Sequence, residues 1–75
     1  MTGLIKHSVV IAGHRTSVSL EPEFWDALQA LATSNGHSVN AEISRIDAGR
    51  GQQNLSSAIR LAILRDYQAR LDAQG

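Results

Sequence analysis

Polar and apolar residues alternate along one short stretch of the chain. Over HRTSVSL, residues 14–20, Arg15, Ser17 and Ser19 fall on one parity and Thr16, Val18 and Leu20 on the other. A period of two predicts a half-buried strand over about 14–20. The longer run SVVIAGHRTSVSL is rich in β-branched residues and reads as extended from about Ser8, with Gly13 interrupting it as a bulge or bend would. The preceding MTGLIKH, residues 1–7, reads as a flexible N-terminal arm, and residues 8–75 as a single domain.

At Glu21-Pro22 the period changes to a helical one. Proline suits the first helical turn, where its missing N–H would be unpaired anyway. Glu21, Glu23 and Asp26 place negative charge at the positive end of the helix dipole. Phe24, Trp25, Leu28, Leu31 and Ala32 share one apolar face, and Asn35-Gly36 supplies a left-handed stop, which predicts helix A over about 22–34. Ser38 is a good N-cap, and Val39, Ile43 and Ile46 line one face of helix B over about 39–48. DAGRGQQ reads as a loop. Asn54 or Ser56 then caps helix C, about 55–71, whose apolar residues cover more than half its circumference. Such a helix is expected to be buried between partners.

The fold class is therefore mainly α with one β-strand. A single strand cannot satisfy its own backbone N–H and C=O groups. With no second clear strand, the natural partner is the same strand of another copy, which predicts an intertwined homodimer with an intermolecular antiparallel ribbon and an added C-terminal helix. Thr16, Val18 and Leu20 would face the core; Arg15, Ser17 and Ser19 would face out. The candidate dimer core is Val18, Leu20, Trp25, Leu28, Ile43, Ile46, Ile59 and Ile63.

Length strengthens the dimer expectation. A chain of 75 residues buries only roughly 60% of the surface its unfolded form exposes. The absence of cysteine removes disulfides and thiolate metal sites as compensations. No run approaches the roughly 20 apolar residues of a membrane span, and a cytoplasmic location is the default. Formal net charge is zero, which in bulk counts against nucleic-acid binding. Its distribution is uneven. Residues 1–20 carry Lys6 and Arg15 and no acid; residues 21–48 carry five acids against Arg45; residues 49–75 carry four arginines against Asp66 and Asp72. The N-terminal part is thus the basic one.

A two-stranded ribbon fits the major groove of B-DNA, about 12 Å wide, where arginine pairs with guanine and serine with several base edges. Arg15, Ser17 and Ser19 suit such reading, although any solvated sheet face alternates this way. The NGHSVNAEI segment leaves free N–H groups at the start of helix B, a ready phosphate site for Ser38, Val39 and Asn40, or an ordinary capped turn. Lys6 and protonated His14 are further candidates for phosphate. The spacing of His7, His14 and His37 matches no metal motif. No nucleophile, base and orienting group occur as a set, so neither an enzyme nor a cofactor is expected. Arg60, Arg65 and Arg70 read as a solvated face with weak ion pairs.

Taken together, the order of elements, TSVSLEPEFWDAL and NGHSVNAEI resemble the ribbon–helix–helix family of Arc-type DNA-binding proteins. AGHRTSVSLEPEFWDAL and NLSSAIR are similar to a bacterial subgroup of predicted ribbon–helix–helix proteins, over about residues 8–70. The resemblance implies a homodimer that binds double-stranded DNA, with Arg15, Ser17 and Ser19 at bases and Ser38, Val39 and Asn40 at phosphates. It implies a transcriptional repressor or regulator. The insert at DAGRGQQ and helix C depart from the minimal fold and leave room for a protein partner. The alternative is an antitoxin-like or accessory interaction module with weak or no specific DNA binding.

Overall fold

The computed structural model describes residues 3–74. Two strands, β1 (Ile5–Ile11) and β2 (His14–Leu20), precede three helices, α1 (Pro22–Ser34), α2 (Val39–Gly49) and α3 (Leu55–Gln74). The two-stranded antiparallel ribbon is present, but its second strand lies in the same chain. β1 pairs with β2 from Ile5↔Leu20 at the open end to Ile11↔His14 at the tip.

The physical reason is the Ala12-Gly13 dipeptide. Both residues have positive φ, 53° and 80°. That is the signature of the two-residue type I′ turn, whose twist matches that of the flanking strands. Gly13 is therefore a hairpin turn and not a bulge within one strand. The chain thus carries two strands where the period of two predicted one. The N-terminal arm is also corrected: from Ile5 onward it is strand, while Met1 and Thr2 lie outside the described residues.

Helix boundaries follow from local chemistry. Pro22 opens α1 behind an extended Glu21. Its far end closes where the His37 N–H donates to the Ala32 carbonyl at 2.8 Å, with Gly36 at φ 74° making the left-handed step. Ser38, extended, caps α2, its Oγ accepting from the Ala41 N–H at 3.1 Å. Asn54 caps α3, its Oδ1 accepting from the Ser57 N–H at 3.2 Å. The connection between α2 and α3 is pinned by Arg50, which donates to Asp47 Oδ1 and to the Gln53 carbonyl, both at 2.6 Å.

One core joins all five elements. Val9 and Val18 from the inner ribbon face, with Leu20, pack with Leu28 and Leu31 of α1, Ile43 and Ile46 of α2, and Ala58, Ile59 and Ile63 of α3. Seven of the eight residues named as a dimer core are thus buried within one chain. Trp25 differs: it is half-buried, its ring stacked on His7 with centroids 3.6 Å apart and planes 4° from parallel. Thr16, expected inside, is exposed, whereas Val9, directly opposite it on β1, is buried. α3 is buried only along its first half; Leu64, Tyr67 and Leu71 are exposed.

Candidate nucleic-acid interface

The outer ribbon face is assembled by the pairing register. Directly opposed residues of an antiparallel pair share a face. Lys6 opposes Ser19, Ser8 opposes Ser17, and Val10 opposes Arg15. These six side chains alternate with the inward Ile5, His7, Val9, Thr16, Val18 and Leu20. Arg15 and Ser17 are exposed and Ser19 is half-buried; Lys6, Ser8 and Val10 are exposed beside them. The fold therefore gathers Lys6, considered for phosphate, onto the same face as Arg15, Ser17 and Ser19. Ser8 and Val10 were missed, because β1 does not alternate cleanly and Val10 is an apolar residue on the polar side.

His14 stands exposed at the tip of the hairpin, on the opposite parity from Arg15. His7 was read as part of an arm. Its ring instead stacks on Trp25, with Nε2 buried and without a hydrogen-bond partner. The stack fastens β1 to α1, and no sequence pattern announced it.

At the start of α2, Ser38 and Asn40 are exposed and Val39 is half-buried. The Ser38 hydroxyl is occupied by the Ala41 amide. The N–H groups of Val39 and Asn40 belong to the first helical turn, which has no intrahelical acceptor for them. α2 packs against β1, which sets this helix beside the ribbon.

Behind that end sits a charged cluster that sequence reading did not single out. Glu42 is fully buried (0% exposed). Its Oε1 accepts from Asn35 Nδ2 at 3.2 Å and its Oε2 from Arg45 Nε at 2.9 Å, with Arg45 Nη2 also bonded. Burial pushes its pKa up, but the hydrogen bonds from Arg45 and Asn35 and the charges of Arg45 and His37 outweigh that and hold the carboxyl below the usual range. The cluster locks the turn between α1 and α2 and thereby orients the α2 N-terminus. An acid on α2 three residues before an arginine was its only sequence signal.

A second feature lies on another side. Glu21 Oε1 accepts from Arg60 Nε and Nη2 at 3.1 and 2.9 Å, and the Arg60 guanidinium sits 5.7 Å from the centre of the Phe24 ring. Beyond this clamp, α1 and α3 leave an open groove of about 430 Å³ lined by Phe24, Ala27, Leu61, Leu64 and Tyr67. Among the described residues no group of three or more His, Cys, Asp or Glu side chains is placed to hold a metal. No helix among the described residues is long and apolar enough to cross a membrane.

A model of the ribbon-helix-helix domain matches residues 4–67, which takes in both strands, α1, α2 and most of α3. No curated protein and no solved structure gives a match. With the match spanning most of its length and the ribbon and helices in the corresponding order, the chain belongs to the ribbon–helix–helix family.

Proposed function

We propose that the protein is a sequence-specific double-stranded DNA-binding regulator, a repressor acting as a homodimer, whose ribbon enters the major groove. Ribbon–helix–helix domains are in general regulatory DNA-binding modules and not enzymes. The observation that carries the reading is the outer ribbon face, where Lys6 and Arg15 stand at opposite corners with three serines between them. Arg15 suits the O6 and N7 of guanine, and Ser17 and Ser19 suit base edges on either strand. Ser38, Asn40 and the amides of Val39 and Asn40 hold a phosphate beside the groove, aided by the helix dipole. Lys6 and His14 supply further backbone contacts. Among the described residues each strand of the ribbon has one edge without a partner, and such edges are templates for pairing with a second copy.

The test is fluorescence anisotropy with the fragment upstream of the protein's own gene against a scrambled duplex, at several salt concentrations. Selective binding that weakens in Arg15→Ala and Ser17→Ala supports the regulator. Equal binding to both duplexes by the folded protein refutes sequence-specific recognition of that fragment. The groove between α1 and α3 favours a second reading, an antitoxin-like or accessory interaction module: Leu64, Tyr67 and Leu71 expose an apolar stripe at helical spacing. That reading predicts self-association or a protein partner lost in Tyr67→Asp, with little salt-sensitive DNA affinity.

A further inference from the structure

The second half of α3 carries four charges of alternating sign, Arg65, Asp66, Arg70 and Asp72. Helical spacing sorts them into two pairs. Arg65 and Asp72, seven residues apart, lie on one flank of the exposed stripe of Leu64, Tyr67 and Leu71; Asp66 and Arg70, four apart, lie on the other. The second pair is closed within the chain at 2.9 Å, on the side where Arg70 also donates to Ser34 Oγ of α1. The first is not. Arg65 and Asp72 are exposed and have no ion-pair partner among the described residues. Seven residues of helix separate them by about 10.5 Å along its axis, too far to pair with each other.

Read in the opposite direction, this charge order is its own complement. When two antiparallel helices are related by a two-fold axis, each flank meets the same flank of the partner. A crossing centred between Gln68 and Ala69 sets Arg65 opposite Asp72 of a second copy and, by symmetry, Asp72 opposite Arg65. The stripe has nearly the same centre: Leu64 meets Leu71 of the copy about a midpoint between Tyr67 and Gln68, one residue or about 1.5 Å away. Parallel helices in register would instead oppose Arg65 to Arg65 and Asp72 to Asp72. A membrane surface favours a helix whose polar face is rich in lysine and arginine, whereas here two arginines stand against two aspartates. We propose that a second copy of this chain seats its α3 antiparallel on the stripe, held in register by two reciprocal Arg65–Asp72 pairs. The inference rests on the interaction reading above, whose groove occupant it names, and not on DNA binding. It uses no residue of either strand and so stands beside the pairing of ribbon edges.

The chain has no cysteine, so a single introduced thiol reports its own neighbours. Full-length Leu64→Cys and Leu71→Cys chains, one of them isotopically labelled, are mixed and treated with a short bifunctional thiol reagent, and the products are weighed by mass spectrometry. The inference expects covalent dimers of one labelled and one unlabelled chain, and few from either variant alone. With Arg65→Glu in both chains the association read by this product should weaken about tenfold, because two attractions become two repulsions. With Arg65→Glu in one chain and Asp72→Arg in the other the yield should return. All four positions are exposed, and circular dichroism checks that each variant is folded. Cross-linking within a single variant means parallel helices and overturns the arrangement. Mixed products indifferent to the charge changes overturn the Arg65–Asp72 pairing. No cross-link at all overturns the inference even if the protein remains dimeric, since association then runs through other surfaces. If Tyr67→Asp still loses a partner in that case, the interaction reading stands without this arrangement; if it loses none, both fall.

Discussion

Glu42 and Leu20 are equally buried, both at 0% exposure, and owe their places to different forces. Leu20 contributes area removed from water; Leu20→Ala should cost about 2–5 kcal/mol, visible as a lower midpoint in chemical denaturation. Thr16→Ala, at an exposed position of the same strand, should leave that midpoint within about 0.5 kcal/mol. Glu42 contributes through its bonds to Arg45 and Asn35. Glu42→Gln should lose about 1–3 kcal/mol at neutral pH. Because the folded pKa lies below the unfolded value of about 4.3, the stabilisation is fully present above that value. It is lost as pH falls through the folded pKa. Acid titration by circular dichroism should accordingly show a shallower loss of stability below pH ~4 in Glu42→Gln than in wild type. Equal acid slopes would mean the carboxyl titrates alike folded and unfolded. Arg15 sits apart from all of this: Arg15→Ala should reduce specific DNA affinity by about 1–3 kcal/mol with an unchanged melting temperature.

At the scale of elements, the decisive feature is the hairpin. Ala12 carries φ 53°, a conformation that an L-residue with a Cβ adopts at a cost and that asparagine tolerates better. Ala12→Asn should raise the melting temperature, by the equivalent of about 0.5 kcal/mol. Gly13→Ala should lower it by about 1 kcal/mol, since it adds a Cβ at φ 80°. Opposite signs at adjacent positions would identify the turn by thermal denaturation alone. The same turn explains what the sequence concealed. The helices were legible because their apolar faces, Pro22, Asn35-Gly36 and Ser38 each have a local reason. β2 was legible because its inner and outer residues differ in kind. β1 was not, because Val9, Val10 and Ile11 are all apolar, and Ala-Gly lacks the Asn-Gly or Asp-Gly signature of a tight hairpin. With residues 1–7 read as arm and the run from Ser8 as one continuous extended stretch, the placing of Lys6, Ser8 and Val10 on the outer face was invisible. So was the stacking of His7 on Trp25, which depends on two residues far apart in sequence meeting across a ribbon.

For the whole molecule, zero net charge conceals a separation by element. The two strands carry Lys6 and Arg15 and no acid, whereas α1 and α2 hold four acids, with Glu21 just before them, and are answered by Arg45, Arg60 and neighbours. Most acids are engaged away from the ribbon: Glu21 with Arg60, Glu42 with Arg45, Asp47 with Arg50, Asp66 with Arg70. The ribbon is left as a small positive surface on a mildly acidic body, in which five arginines face seven acids. DNA affinity should then fall with salt in proportion to few phosphate contacts, and Lys6→Gln should weaken binding to all duplexes alike while flattening the salt dependence by about one unit per chain. An undiminished slope would remove Lys6 from the phosphate contacts.

The location of both ribbon strands in one chain also bears on how the ribbon comes into being. A hairpin closed by two residues forms in roughly 1–10 μs and at a rate independent of concentration. A ribbon made from two chains must await their encounter, which slows in proportion as copies become scarce. Here the hairpin closes within each chain before any second copy is met. Under the DNA-binding reading proposed above, the delay that encounter imposes falls on self-association and not on closing the hairpin.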